Sequence, residues 1–191
     1  NRPKTLWVSL KDNIHKNRLI LPFYSELNEI EHYQSRAVLP TDTKLPKYLS
    51  KVGSEKTLFN INNVNSDIDY IFIFEGPIDS CFVRNGVAVA GIQENSNLLF
   101  TSKQKQQLAS FPFHQRIWVL DSQQQDRAAM IKTEKLIDQG ETVFIWPDDY
   151  GQRFKDFNDM SIGLNKSEIP YKFILKNTYT GLKAKLMLNK A

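Results

Sequence analysis

The fold is decided by the stretch Tyr70-Ile-Phe-Ile-Phe-Glu-Gly-Pro-Ile-Asp79. Its first five residues are continuously apolar, β-branched or aromatic, which is typical of a strand buried on both faces of a parallel sheet. Glu75 and Gly76 end this run, and Pro77 suits the first turn of a short helix over residues 78–85. A buried strand, a turn and a helix in this order form the first part of a β-α-β unit.

The same pattern recurs towards the C-terminus. Helices are predicted over residues 101–110 and over residues 126–139, where Asp126 is a typical N-cap and Gly140 a typical stop. Strands that alternate with helices at this spacing predict an α/β fold with a parallel sheet and right-handed crossovers. The apolar runs that predict the three further strands occupy residues 87–90, 116–120 and 142–146.

Residues 1–66 lack this alternation. Two segments of strand type, 18–24 and 33–39, flank a polar turn and predict an antiparallel pair, whereas Pro and Gly in residues 40–54 predict a loop. Asn, Ser and Asp cluster over residues 62–67 and indicate a boundary. The predicted parts are a small mixed α/β basic subdomain (1–66), an α/β domain with a parallel sheet flanked by helices (67–160), and a basic, helical C-terminal extension (161–191).

The charge is distributed unevenly along the 191 residues, although the net charge is only +4. Residues 1–60 contain 10 basic and 6 acidic side chains, residues 61–160 contain 9 and 14, and residues 161–191 contain 6 and 1. A basic N-terminal part beside an acidic centre fits polyanion binding next to metal binding. It also fits ordinary variation in solvated surface charge, so charge by itself leaves both interpretations open.

Composition excludes several classes of protein. No run of about 18 apolar residues is present, so we expect no membrane-spanning helix. Cys81 is the single cysteine, which excludes an internal disulfide, and with three scattered histidines it predicts no zinc site. The chain begins at Asn1 without an apolar signal segment, so we expect a non-secreted piece of a longer protein.

Acidic side chains follow the predicted strands. Glu75 and Asp121 come directly after two of them, Asp79 lies four residues beyond Glu75, and Asp156 and Asp159 follow the fourth strand. Ligands of open parallel sheets bind beyond the carboxyl ends of the strands, where these oxygens would favour Mg²⁺ or Mn²⁺ and could orient a phosphate. An acid after a strand is also often only a helix N-cap, so the residues leave both interpretations open.

The quoted stretch resembles the Toprim domain, which bacterial and phage DNA primases share with topoisomerases and some nucleases. Residues 71–80 followed by Gly86-Val-Ala-Val-Ala-Gly91 look like the primase version, and Trp118-Val-Leu-Asp121 matches its second strand. Lys155-Asp-Phe-Asn-Asp159 resembles the element that supplies further acids in primases. The resemblance implies a Toprim-type fold for this part of the chain.

The upstream part resembles the basic subdomain that precedes Toprim in primases. Arg18-Leu-Ile-Leu-Pro22 is similar to its opening strand, Ser35-Arg36 to a later basic strand, and Pro46-Lys-Tyr-Leu-Ser50 to its Pro-Lys-Tyr-Leu signature. The similarity spans about residues 18–160, and its spacing is more like that of a phage primase than that of a cellular one.

One departure concerns the Asp-x-Asp pattern of the family. The sequence has Asp121-Ser-Gln123, so the second acid is absent. The neutral carbonyl oxygen of Gln123 or the carboxylate of Asp126 could take its place. This departure leaves the number of metal ions open.

The resemblance implies a DNA primase catalytic core, a nucleotidyltransferase that joins ribonucleoside triphosphates into a short RNA primer. The implied partners are a single-stranded DNA template and a replicative helicase, with Mg²⁺ or Mn²⁺ as cofactor and a bacterial host cytoplasm as location. The alternatives are a Toprim nuclease that uses the same acids and a non-catalytic nucleic-acid-binding replisome component. The implied site residues are Glu75, Asp79, Asp121 and Asp156 for catalysis, Glu75, Asp121, Asp156 and Asp159 for metal, and Arg18, Arg36, Lys47 and Lys56 for template or triphosphate.

Overall fold

The computed structural model describes residues 2–25, 27–38, 46–91 and 99–190. Within them the chain forms two sheets that share an apolar core. The strands are β1 (Trp7–Ser9), β2 (Arg18–Tyr24), β3 (Ile30–Ala37), β4 (Tyr48–Ser50), β5 (Tyr70–Phe74), β6 (Gly86–Ala88), β7 (Gln115–Val119), β8 (Val143–Phe144) and β9 (Thr178–Tyr179). The α-helices are α1 (Pro77–Ser80), α2 (Ser102–Ala109), α3 (Arg127–Asp138), α4 (Asp148–Gly151), α5 (Phe157–Gly163), α6 (Tyr171–Lys176) and α7 (Gly181–Leu188), with a 3₁₀ turn at Ile61–Asn63.

The N-terminal sheet is antiparallel, with the strand order β1-β2-β3-β4. The predicted antiparallel pair is present as β2 and β3, although β3 begins at Ile30, three residues earlier than predicted. The predicted loop is wrong at Tyr48–Ser50, because these residues pair with β3 as β4. The predicted strand end at Leu39 and residues 40–45 of that loop lie outside the described residues. The described residues before 67 contain strands and one 3₁₀ turn rather than α-helices.

The second sheet has the order β6-β5-β7-β8-β9. Strands β6, β5, β7 and β8 are parallel, as predicted, and β9 pairs antiparallel to β8 at the edge. The helix predicted over 78–85 is wrong in length, since α1 contains only four residues. Beyond α1 the chain continues to Asn85, which has a left-handed φ of 55° and whose side chain donates to the carbonyls of Asn65 and Tyr70.

Two apolar clusters lie on opposite faces of the second sheet. Phe72 and Phe74 of β5 join one cluster, which also contains Leu21 and Phe23 of the first sheet. The residues of β5 that point to the other face belong to the second cluster, together with Trp118 and the inner faces of α2, α3 and α7. Successive residues of a strand face opposite sides, so one continuously apolar run supplies both clusters.

The C-terminal extension, predicted to be helical over residues 161–191, also contains a strand. Thr178 and Tyr179 extend the sheet as β9, and α7 then begins at Gly181, which has a left-handed φ of 55°. α7 packs against α3, where Lys185 and Asp138 form an ion pair of 2.6 Å. No helix in the described part of the chain has the length and apolarity needed to cross a bilayer.

Candidate active site

A cleft of about 280 Å³ lies at the carboxyl ends of β5 and β7. The second sheet, with its loops and helices, supplies acids to it, and β3, β4 and the residue before β4 supply basic and aromatic side chains. The acids that line the cleft are Glu75, Asp79, Asp121, Asp126 and Asp156. The structure therefore brings together the four acids that the resemblance assigns to catalysis.

Each of these acids owes its position to the element beside it. Glu75 directly follows β5, and Asp79 lies one turn further on in α1. Asp121 follows β7 after one further residue, at the same edge of the sheet because the two strands are parallel. Asp156 is the N-cap of α5, where its Oδ1 accepts from the Asp159 amide at 2.7 Å.

Two of the cleft acids, Asp79 and Asp121, have raised pKa values. Burial, followed by repulsion from Asp156, raises the pKa of Asp79 to about 7, whereas a hydrogen bond of 3.0 Å from the Asn158 amide and the charge of Arg36 act in the opposite direction. Burial, followed by the charges of Asp156 and Glu75, raises the pKa of Asp121 to about 6. The cleft therefore favours a proton or a cation over further negative charge.

The acids do not form a ready ligand set. Among the described residues, no group of three His, Cys, Asp or Glu side chains is arranged to hold a metal ion. Glu75 is instead paired with Lys132, whose Nζ lies 2.7 Å from Oε1 of Glu75. Lys132 thus neutralises one of the cleft acids.

Asp159 does not line the cleft. Its Oδ2 accepts from the Lys155 amide at 3.1 Å, and its side chain is exposed at the start of α5. These contacts are those of a helix-capping residue, and the role of Asp159 as a metal ligand stays a prediction.

Gln123, one of the two candidates to replace the missing second acid, lies outside the lining of the cleft. It is 4% exposed. Its Oε1 accepts from the Trp146 amide at 3.1 Å, and its Nε2 donates to the Phe144 carbonyl at 3.2 Å and to Thr133 Oγ1 at 3.2 Å. The amide group is therefore occupied in joining the end of β7 to the end of β8.

Asp126 is the acid that remains near the missing position. It caps α3 by accepting from the amides of Ala128 and Ala129, as the sequence predicts, and it also lines the cleft. Lys155 lies 3.8 Å from its other oxygen. The capping contacts use Oδ1. The same carboxylate therefore caps the helix and also contributes negative charge to the cleft.

Two of the four basic residues implied by the resemblance line the cleft. Arg36 of β3 lies over the ring of Tyr48 at 5.2 Å and donates to its hydroxyl, which fixes the guanidinium at the rim. Lys47 is exposed and also faces the cleft. Both side chains could contact a polyanion beside the acids.

The other two basic residues have different contacts. Arg18 is 4% exposed and donates to Ser35 Oγ at 2.8 Å and to the carbonyls of Pro46 and Lys47 at 2.8 and 2.9 Å. Its guanidinium holds the backbone before β4, and phosphate binding by Arg18 stays a prediction.

Lys56 is also absent from the lining of the cleft. Its Nζ donates to the carbonyl of Ala90 at 3.0 Å. Lys56 also lines a separate depression of about 330 Å³. Ala90 has a left-handed φ of 60°, and Gln34 donates to the same carbonyl at 3.2 Å. The structure thus gives Lys56 the role of holding a strained turn at the rim.

Sequence reasoning missed Lys132. Ala129 and Leu136 are buried on the inner face of α3, and Lys132 lies between them at helical spacing. The sequence did contain a signal for Lys132. It is a lysine within an otherwise apolar stripe, in a helix that follows an acidic strand end.

No model of a known protein family matches the sequence. The chain is 32% identical to the DNA primase of Enterobacteria phage T4 over 184 residues, which cover 94% of this chain and 49% of that protein. The predicted resemblance to DNA primases is confirmed. The chain spans about half the length of this curated primase.

Solved primase structures share the fold. The RNA polymerase domain of Mycobacterium tuberculosis primase DnaG, in complex with a double-stranded DNA oligomer with a 6-nucleotide overhang, matches with a TM-score of 0.59 and 18% identity, over 86% of this chain and 54% of that one. The E. coli primase catalytic core matches with a TM-score of 0.57 and 17% identity, over 95% and 59%. The predicted α/β fold, with a mostly parallel sheet flanked by helices, is thus confirmed.

Proposed function

We propose that this chain is the catalytic core of a Toprim-type DNA primase, a nucleotidyltransferase that joins ribonucleoside triphosphates on a single-stranded DNA template. The observation that carries the proposal is the cleft, where Glu75, Asp79, Asp121 and Asp156 converge beside Arg36. Similarity to a phage primase supports assigning this cleft to nucleotidyl transfer rather than to an unrelated chemistry.

The donor chemistry of the cleft fits Mg²⁺ or Mn²⁺. Glu75, Asp121 and Asp156 would hold the ion through carboxylate oxygens, and burial and mutual repulsion leave two of the cleft acids in need of a cation. Magnesium is commonly bound by one or two carboxylates together with water and substrate phosphates, so a ready group of three protein ligands is not required. When bound there, a divalent ion would help to align the attacking 3′ oxygen and to neutralise the leaving pyrophosphate.

The basic rim would hold the substrates. Arg36, already fixed against Tyr48, can contact a phosphate with two parallel hydrogen bonds, and Lys47 can act as a mobile point charge. These contacts orient the template or the triphosphate beside the acids, and positioning is a large part of catalysis in nucleotidyl transfer. A replicative helicase as partner and a bacterial cytoplasm as location belong to the same proposal.

The test is extension of a short RNA annealed to single-stranded DNA, since a supplied primer removes any need for start-site selection. We expect Mn²⁺- or Mg²⁺-dependent addition of ribonucleotides, and we expect Glu75→Gln to lower the rate by at least about 100-fold, because it removes a charged ligand. Glu134→Gln, on the exposed side of α3, is the matched control and should retain the wild-type rate.

Three outcomes would contradict the proposal. Full activity of Glu75→Gln would show that the Glu75 carboxylate takes no part in the reaction. DNA degradation with metal and without nucleotides would favour a Toprim nuclease. Salt-sensitive DNA binding with no metal-dependent step would favour a non-catalytic component.

A further inference from the structure

Lys132 places a cation inside the acidic cleft that the proposed chemistry does not use. Its side chain is 17% exposed, and its Nζ lies 2.7 Å from Oε1 of Glu75, whose side chain is 34% exposed. The two residues are 57 positions apart, so folding rather than local sequence forms the pair. The pair occupies a carboxylate that the proposed metal site needs.

A divalent ion at Glu75 would compete with Lys132 for the carboxylate. The ammonium takes up Oε1, and a cation bound to the same carboxylate would stand within a few ångström of Nζ, where two positive charges repel. A divalent ion at Glu75 would therefore weaken the pair and favour release of the ammonium. A released ammonium would still lie in a half-shielded cleft, where an unpaired charge is costly, so another anion would stabilise it there.

The triphosphate is the anion that the proposed reaction brings to this place. Lysine has a flexible four-carbon stem and binds phosphate as a point charge, so a small rotation can move Nζ from a carboxylate to a phosphate oxygen. Among the described residues that line the cleft, Arg36 and Lys47 belong to the N-terminal part, and Lys132 is the cation contributed by the second sheet and its helices. It would therefore reach phosphate from the side of the acids.

We propose that Lys132 is the counter-ion of Glu75 in the free protein and becomes a triphosphate-binding residue when a divalent ion takes Glu75. This inference rests on the proposed function, because it needs metal and triphosphate in the same cleft. It implies that Lys132 opposes binding of metal alone and favours binding of metal with triphosphate. A merely structural role would not produce opposite effects.

The test is calorimetric titration of the wild type, Lys132→Met and Lys135→Met, first with Mn²⁺ alone and then with inorganic triphosphate added to Mn²⁺-saturated protein. Lys132→Met should bind Mn²⁺ about 3- to 10-fold more tightly, because a competing charge is removed. It should bind triphosphate about 10-fold more weakly, because a charge-assisted contact is lost. Lys135, an exposed lysine of the same helix, is the control, and its variant should match the wild type.

Loss of both affinities in Lys132→Met, or no change in either, would overturn the inference. Lys132→Arg keeps the charge and should keep the triphosphate affinity within about threefold of the wild type. Should Lys132→Met fail to fold, Lys132→Gln carries the same expectations. A wild type that binds no Mn²⁺ would overturn the proposed function together with the inference, whereas normal wild-type binding with an unaltered Lys132→Met would overturn the inference only.

Discussion

Asp79 carries the strongest electrostatic conflict in the cleft. Burial and the charge of Asp156 raise its pKa to about 7 from an ordinary value of 3.8. Between these two pH values the folded protein holds a proton that the unfolded chain has lost, so stability falls as the pH rises through this window. Above about pH 7 Asp79 is ionised, and the folded protein is destabilised by the full free-energy cost of this buried charge.

Asp79→Asn should therefore stabilise the metal-free protein at high pH. We expect its free energy of unfolding at pH 8 to exceed that of the wild type by about 1–3 kcal/mol, and the difference to shrink towards zero near pH 4. The asparagine oxygen can still accept from the Asn158 amide. Urea unfolding at pH 4, 6 and 8, without divalent ions, measures the effect.

The control is Asp149→Asn, because Asp149 is exposed on α4 and should change stability by less than about 0.5 kcal/mol at any of these pH values. An Asp79→Asn protein that is less stable than the wild type at pH 8 would show that the carboxylate is favourably placed rather than repelled.

At the scale of elements, Gln123 joins β7 to β8. These two strands share a single registered pair, Trp118 with Val143, so the ladder between them is short. The side chain of Gln123 adds hydrogen bonds to the backbone of Phe144 and Trp146 just beyond that pair. The residue that departs from the family's acidic pattern is thus a buried connection between strands.

Replacing Gln123 with the aspartate of the family pattern should therefore not create a metal ligand. We expect Gln123→Asp to lower the free energy of unfolding by about 2–3 kcal/mol, because a shorter, charged group would leave buried partners unpaired. Calorimetry should show no gain in Mn²⁺ affinity, since the side chain does not face the cleft. Tighter Mn²⁺ binding by Gln123→Asp would contradict this assignment, and the exposed Gln152→Asp is the control.

At the scale of the whole molecule, the cleft depends on how the two sheets pack. Phe23 of β2 contacts Phe59 edge to face, with ring centroids 5.2 Å apart, and Phe59 forms a bridge with Ala88 of β6. Both rings belong to the apolar cluster beneath β5. The basic rim and the acids thus keep their spacing because one core fixes both sheets.

Phe23→Ala should weaken the whole molecule rather than the first sheet only. We expect a loss of about 3–5 kcal/mol, typical of a fully buried phenylalanine, with one cooperative transition. Circular dichroism and tryptophan fluorescence, followed in the same urea titration, check this. Phe113→Ala, at a ring that is 91% exposed, is the control. Separate midpoints for the two signals would show that the sheets fold independently.

The sequence determined the features that depend on neighbours along the chain. Continuously apolar runs such as Tyr70–Phe74 specify buried parallel strands, and Asp126 specifies the start of a helix. Parallel strands end at one edge of a sheet, so acids placed after them could be expected near one another. Element boundaries were less predictable, as the short α1 and the unexpected β4 show, because a cap or a pairing partner decides them.

Only the tertiary structure decided what each polar side chain contacts. Arg18 and Pro46 are 28 residues apart, Gln123 and Trp146 are 23 apart, and Glu75 and Lys132 are 57 apart. A basic or amide group has the same appearance in a sequence whether it faces solvent, a carbonyl or a carboxylate. Its role is fixed by burial and by hydrogen-bond partners from distant segments, and these exist only once the sheets have packed.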